Sequence, residues 1–278
     1  MDNSLIDSDL SHFPIPVVLG TSVGQTNSDV SDIFDEIGSN SLKIAITKSD
    51  GVSQVYGEVE EWDPVNKKGL IWVSKSDLIL SSSEPTNFYI YYDSNQSDNT
   101  DFIGTSGNSP DFPETTPFTV SSIINLNSLA QGESNDIDQG WVGIVDKYKE
   151  YYNTTLGLWV SDDNCFSFTT GNGDWDDLKT NTIVADEWYH VASVWDGTNK
   201  YIYLNGNLVN TDTPTTDKQP CSGAGNLWIG GRNQTNQFIY ASIDSVQISN
   251  IPRSADWIKV NYNGQIDNLL QWGATELM

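Results

Sequence analysis

Basic residues are scarce in this chain: 13 Lys and Arg stand against 38 Asp and Glu in 278 residues, a formal charge of -25. That balance excludes a partner held by its phosphates, because such binding depends on Lys and Arg displacing counterions. Nucleic acid and anionic membrane surfaces are therefore not expected partners. Cysteine is nearly absent too. Cys165 and Cys221 are too few for a disulfide framework and lack the spacing of a metal knuckle, and the sequence leaves open whether they pair. No apolar run approaches the roughly 18 residues of a membrane span, so membrane insertion is not expected. The opening MDNSLIDSDLSHFPIPVVLG has neither the basic nor the apolar region of a secretory signal. Helical periodicity is almost missing. So are GxSxG, HExxH, P-loop, GxGxxG and CxxC patterns, which leaves the familiar nucleophile, zinc and phosphate chemistries without support.

What is present is alternation. Apolar and polar residues alternate in runs of five to eight, bounded by Gly, Asn, Asp, Ser and Pro, as in short antiparallel strands. Of the acids, 28 are Asp and ten Glu, and Asp favours turns and caps over helix interiors. Such a surface suits saline or extracellular conditions and supplies oxygen ligands for hard cations. The pattern predicts an all-β chain of two β-sandwich domains. The first covers 1–94, with strands in FPIPVVLG, SLKIAITKS, SQVYGEVEEWD, KGLIWVSKS and TNFYIYYDS and a short helix in SDVSDIFDEIG capped by Ser31 or Asp32. A polar segment with three prolines, 95–117, reads as the linker. The second domain, 118–278, holds nine strand candidates, then a helix capped by Ser254 and a last strand in NLLQWG.

Of the two histidines, His12 has no motif and His190 lies mid-strand among Trp188, Val191, Ala192, Val194 and Trp195, the setting of a hydrogen-bonded core residue. Glu58 and Glu60 share a strand face about 7 Å apart, a spacing that glycoside hydrolysis uses. A solvated strand face gives the same pattern. Calcium has better support. GNGDWDD gathers Asp174, Asp176 and Asp177 beside glycines, SDDN adds Asp162 and Asp163, and Asp244 sits among apolar neighbours where a charge needs a partner. The expected metal set is Asp174, Asp176 and Asp244. Ten Trp and twelve Tyr exceed what a core needs, and aromatic faces stack sugars. Trp175, inside that acidic loop, either meets a ligand or folds back on the core. Asn233, Gln234, Asn236 and Gln237 form an amide-rich turn that either bonds glycan hydroxyls or solvates a hairpin.

EWYHVASVWDGTNKYIYLNGNLV, followed by LWIGGRNQTNQFIYASIDSVQISNIPRSADWIK, resembles the laminin G-like, concanavalin A-like family in its order of W-x-H-V-A, D-G, Y-x-N-G, I-G and I-D-x-V-x-I-S. The match covers about 118–259. DGTN and NGN then link meander strands, with Asn205 and Gly206 supplying positive φ. FPIPVVLG, SLKIAITKSDG, EVEEWD, IWVS and FYIYYDS resemble a small β domain of unknown function that precedes such modules in microbial and viral surface proteins, which makes the two glutamates scaffolding. The first resemblance implies a jelly roll that binds glycans or proteins, often with one structural calcium, its acid falling on Asp244. The E-x-D-x-x-E of the enzyme members is absent. Together these readings predict a non-catalytic adhesion or decoration protein on a virion surface or extracellular, binding glycans or a protein lattice, with homo-oligomers open. The other reading is a secreted carbohydrate-binding module of a larger polysaccharide-degrading enzyme or cell-surface adhesin.

Overall fold

The computed structural model describes residues 1–11, 13–74, 78–105, 117–128, 141–150, 153–221, 226–231 and 238–273. His12, Asn233, Gln234, Asn236 and Gln237 lie outside the described residues. The chain is all-β and divides into two compact units, Met1–Ser109 with Lys259–Met278, and Pro110–Ile258. No helix among the described residues is long and apolar enough to cross a membrane.

The first unit holds β1 (Leu10–Ser11), β2 (Ile15–Leu19), β3 (Ile44–Lys48), β4 (Tyr56–Asp63), β5 (Lys68–Ser74), β6 (Ile79–Leu80), β7 (Phe88–Tyr92) and β8 (Ile103–Thr105). They form a four-stranded sheet β2-β5-β4-β8 and the pairs β3-β7 and β1-β6. Alternation puts Ile15, Val17, Ile71, Val73 and Val59 into the core. The helix α1 (Asp32–Ile37) has Ser31 at its N-cap, but no side-chain capping bond forms there; Ser31 is tied to Asp29 by its own amide, and Asp32 accepts from the Tyr92 hydroxyl at 2.8 Å. Two segments lie elsewhere than the sequence suggests. β8 falls inside the expected linker, pairing in parallel with β4. The NLLQWG segment forms no strand; its Leu269 and Leu270 are buried, and the Leu269 and Leu270 carbonyls accept from Asp2 and Gln25. Those backbone bonds tie the C-terminal stretch to the start of the chain within the first unit.

The second unit is a sandwich of two five-stranded antiparallel sheets. Its strands are β9 (Phe118–Leu126), β10 (Val142–Glu150), β11 (Asn153–Val160), β12 (Cys165–Asn172), β13 (Trp175–Thr182), β14 (Trp188–Trp195), β15 (Lys200–Leu204), β16 (Asn207–Asp212), β17 (Leu227–Ile229) and β18 (Ala241–Ser249). The orders are β13-β12-β11-β10-β17 and β16-β15-β14-β9-β18. Phe166, Phe168, Leu158, Val160, Val191 and Ile202 fill the space between them. Asn205 (φ 49°) and Gly206 (φ 77°) make the turn between β15 and β16, the positive-φ pair that a two-residue hairpin needs. Asp196 caps the preceding turn through the amides of Thr198 and Asn199. In β18 the register shifts between Asp244 and Gln247, with Ser245 at φ 51°. After it runs α2 (Ala255–Gln265), whose first turn is capped by the Ser254 hydroxyl accepting from Trp257.

Candidate functional site

In β12 the aromatic residues Phe166 and Phe168 face the core, so the intervening Ser167 and Thr169 point to the outer face of the sheet β13-β12-β11-β10-β17. Pairing aligns rows of side chains there. Lys179, Ser167, Trp159 and Gly143 form one row, Asp177, Thr169, Gly157, Asp146 and Trp228 the next, and Trp175, Gly171 and Thr154 the third. Three tryptophans thus share this face with carboxylates and hydroxyls, and Trp141 stands edge-on to Trp159 at 5.9 Å between centroids.

One half of the face is closed and pre-bonded. Trp159, 3% exposed, lies down over Gly157, where a Cβ would approach its ring atoms to 2.9 Å. The missing side chain at 157 is what lets the indole Nε1 donate to Asp146 Oδ1 at 3.1 Å. Asp146 is fully buried. In the half around β13, Asp177 is exposed, Trp175 and Lys179 are half-buried, and Ser167 and Thr169 are buried. Asp177 accepts from the Thr169 hydroxyl at 2.5 Å, and the Thr169 and Ser167 hydroxyls are 3.3 Å apart. Protein packed around the Asp177 carboxyl pushes it above the usual carboxylate range, against the pull of Thr169, Lys200 and Lys179, while the residue stays open to solvent. Lys179 bonds Asp163 at 3.0 Å and lies over the Trp141 ring at 4.7 Å.

Of the residues singled out by sequence, Trp175 is on this face, half-buried, two positions from Asp177. The acids expected to hold a metal are not brought together. Asp174 is held by Lys218 at 3.5 Å and by the Trp175 amide. Asp176 points inward to Lys200, whose Nζ is 2.8 Å from Oδ2. Asp244 is exposed at the solvent side of β18, bonded by the Ser245 hydroxyl; an edge strand spares it the desolvation that its apolar neighbours suggested. β13 packs against β15 and β16, and three strand spacings, about 14 Å, separate β15 from β18. Among the described residues no three His, Cys, Asp or Glu side chains gather to hold a metal. The donor set therefore does not fit a calcium ion shared by Asp174, Asp176 and Asp244.

His190 is 1% exposed, mid-strand, its backbone bonded both ways to Asn205. In β4 the register shifts at Glu60, which accepts from the Trp72 indole; the bulge breaks the simple two-residue spacing assumed for Glu58 and Glu60. Both cysteines are free and buried. Cys221 bonds Thr154, which pairs with Gly171, and Gly171 is roughly 20 Å along β12 from Cys165, beyond disulfide reach. The sequence reading missed Asp146, Gly157, Trp159, Thr169 and Trp228. A signal for some of them was available: FSFTTG alternates Phe with Ser and Thr, the mark of a strand with a polar outer face.

The family model described as the concanavalin A-like lectin/glucanases superfamily, a laminin G type, matches residues 97–259. Among solved structures, Trypanosoma rangeli sialidase is similar at 13% identity and TM-score 0.41, over 55% of this chain and 24% of that one. The botulinum neurotoxin serotype D binding domain is similar at 17% and 0.43, over 54% and 36%. Domain 4 of an extracellular arabinanase from Geobacillus stearothermophilus, solved with arabinotriose, is similar at 17% and 0.41, over 53% and 66%. The chain thus spans about a quarter of the sialidase and about a third of the toxin domain. No curated protein matches it. With a family match over more than half of its residues, on a sandwich of two five-stranded sheets, this chain belongs to the concanavalin A-like lectin/glucanase superfamily.

Proposed function

We propose that the chain is a non-catalytic adhesion or decoration protein, displayed outside a virion or a cell, that binds glycans on the outer face of β13-β12-β11-β10-β17. The observation that carries this is the pair Trp175 and Asp177, two residues apart on edge strand β13, with Thr169 already bonded to the carboxylate. A sugar offers an apolar CH face and a ring of hydroxyls. An indole meets the first and a carboxylate the second. Because β13 ends its sheet, a chain of sugars can run off the edge. The acidic surface keeps the protein soluble and repels phosphate-rich partners.

A glycan array on the full chain, followed by calorimetry on the best sugar, tests the reading. Trp175→Ala weakens binding about tenfold, the loss of roughly 1.5 kcal/mol of stacking. Asp177→Asn weakens it about tenfold or more, as a hydrogen bond to a charged acceptor is lost. Binding that neither substitution changes places the site elsewhere. Sugar release abolished by Glu58→Gln with Glu60→Gln would refute the non-catalytic half.

A further inference from the structure

We propose that the Lys200 ammonium is the resident cation of this sandwich: it satisfies the acidic start of β13 in the way a calcium ion otherwise would, so the fold needs no metal. Lys200 is on β15 and has no exposed surface, yet its Nζ bonds both the Asp176 carboxylate, at 2.8 Å, and the Asp176 carbonyl, at 2.7 Å. A carboxylate and a carbonyl are the oxygens a hard cation takes, and here they face an ammonium. Asp177 and Asp212 add negative charge around the same nitrogen, Asp212 as the cross-strand partner of Lys200, and the Phe168 ring lies 4.8 Å from it. Ammonium and calcium cannot share those oxygens.

The pair also joins the two sheets, since β15 and β13 belong to different ones. With Asp176 drawn inward, its neighbours Trp175 and Asp177 are turned outward, which makes Lys200 a positioning residue for the proposed face. That last link rests on the function proposed above. The link to stability does not.

The experiment is thermal unfolding of the full chain, with no sugar present, in chelator and in millimolar calcium. The wild-type midpoint is the same in both. Lys200→Ser lowers it by about 6–20 °C, as for one partner removed from a buried pair, and calcium restores part of that loss by entering the oxygens left behind. Lys200→Arg, which keeps the charge, stays folded and metal-indifferent should the serine variant fail to fold. A wild-type midpoint that drops in chelator, or a serine variant as stable as wild type or deaf to calcium, overturns the proposal. Sugar affinity measured in parallel reports on the binding face alone.

Discussion

Gly157→Ala is the sharpest test of the closed half of the face. The new methyl would stand 2.9 Å from Trp159 Cε2 and Nε1 and 3.2 Å from the Thr169 carbonyl oxygen. The sheet backbone cannot yield, so the indole must withdraw by roughly 0.6 Å to reach ordinary carbon contact. It has little room, being 3% exposed with Trp141 against it. Overpacking of this kind costs about 1–3 kcal/mol. Lengthening the 3.1 Å bond to buried Asp146 costs about 1–3 kcal/mol more. The sum, about 2–6 kcal/mol, lowers the melting midpoint by roughly 5–20 °C, read by circular dichroism with tryptophan fluorescence alongside. Combining Gly157→Ala with Trp159→Phe, which shortens the ring that clashes, gives a double variant more stable than the sum of the two losses by about 1 kcal/mol. A Gly157→Ala protein melting within about 1 °C of wild type would mean that the indole does not lie over residue 157.

Three further outcomes are expected. The Ser53 hydroxyl and the Val52 and Ser53 amides hold the Asp50 carboxyl down to about 2, so its contribution is complete above about 3.8 and is lost as pH falls through about 2; the stability gap between wild type and Asp50→Asn closes over that window, and a gap constant down to the acid limit contradicts the assignment. Burial and the bond to Asp32 push the Tyr92 phenol up to about 12, so its contribution is intact below pH 10 and lost as pH rises through about 12; in an ultraviolet titration Tyr92→Phe removes amplitude from the last phenolate step, and an unchanged alkaline limb contradicts it. Both cysteines are unreactive to a thiol reagent in the native chain, and denaturation without reductant releases two thiols per chain. Fewer than two would mean a disulfide.

The strands and the family were legible because both depend on local order: alternation, turn residues and the spacing of a meander. His190 read as a core residue from its neighbours alone and is buried. What escaped depends on residues far apart in the chain. Nothing near GNGDWDD announces that Asp176 is taken by Lys200, 24 positions later and on the other sheet. Asp146 and Trp159 meet only after the register shift between Gly143 and Val145 is in place, and shifts carry no sequence mark. β8, three residues long and paired in parallel, is too short for alternation to show. Asp244 misled because apolar neighbours count differently in an edge strand, where every second position faces water.

The shift at Ser245 in β18 bears on how copies of this protein meet. β18 ends its sheet, and a straight nine-residue edge would present its unpaired amides and carbonyls as a template for a neighbour's strand. The left-handed residue interrupts that row after Asp244 and before Gln247, leaving stretches of four and three residues, while β17, the terminal strand on the same flank of the other sheet, is only three residues long. Neither stretch suffices to hold a foreign strand. On this flank, then, the two sheets of the sandwich offer a neighbouring copy little to extend by backbone pairing.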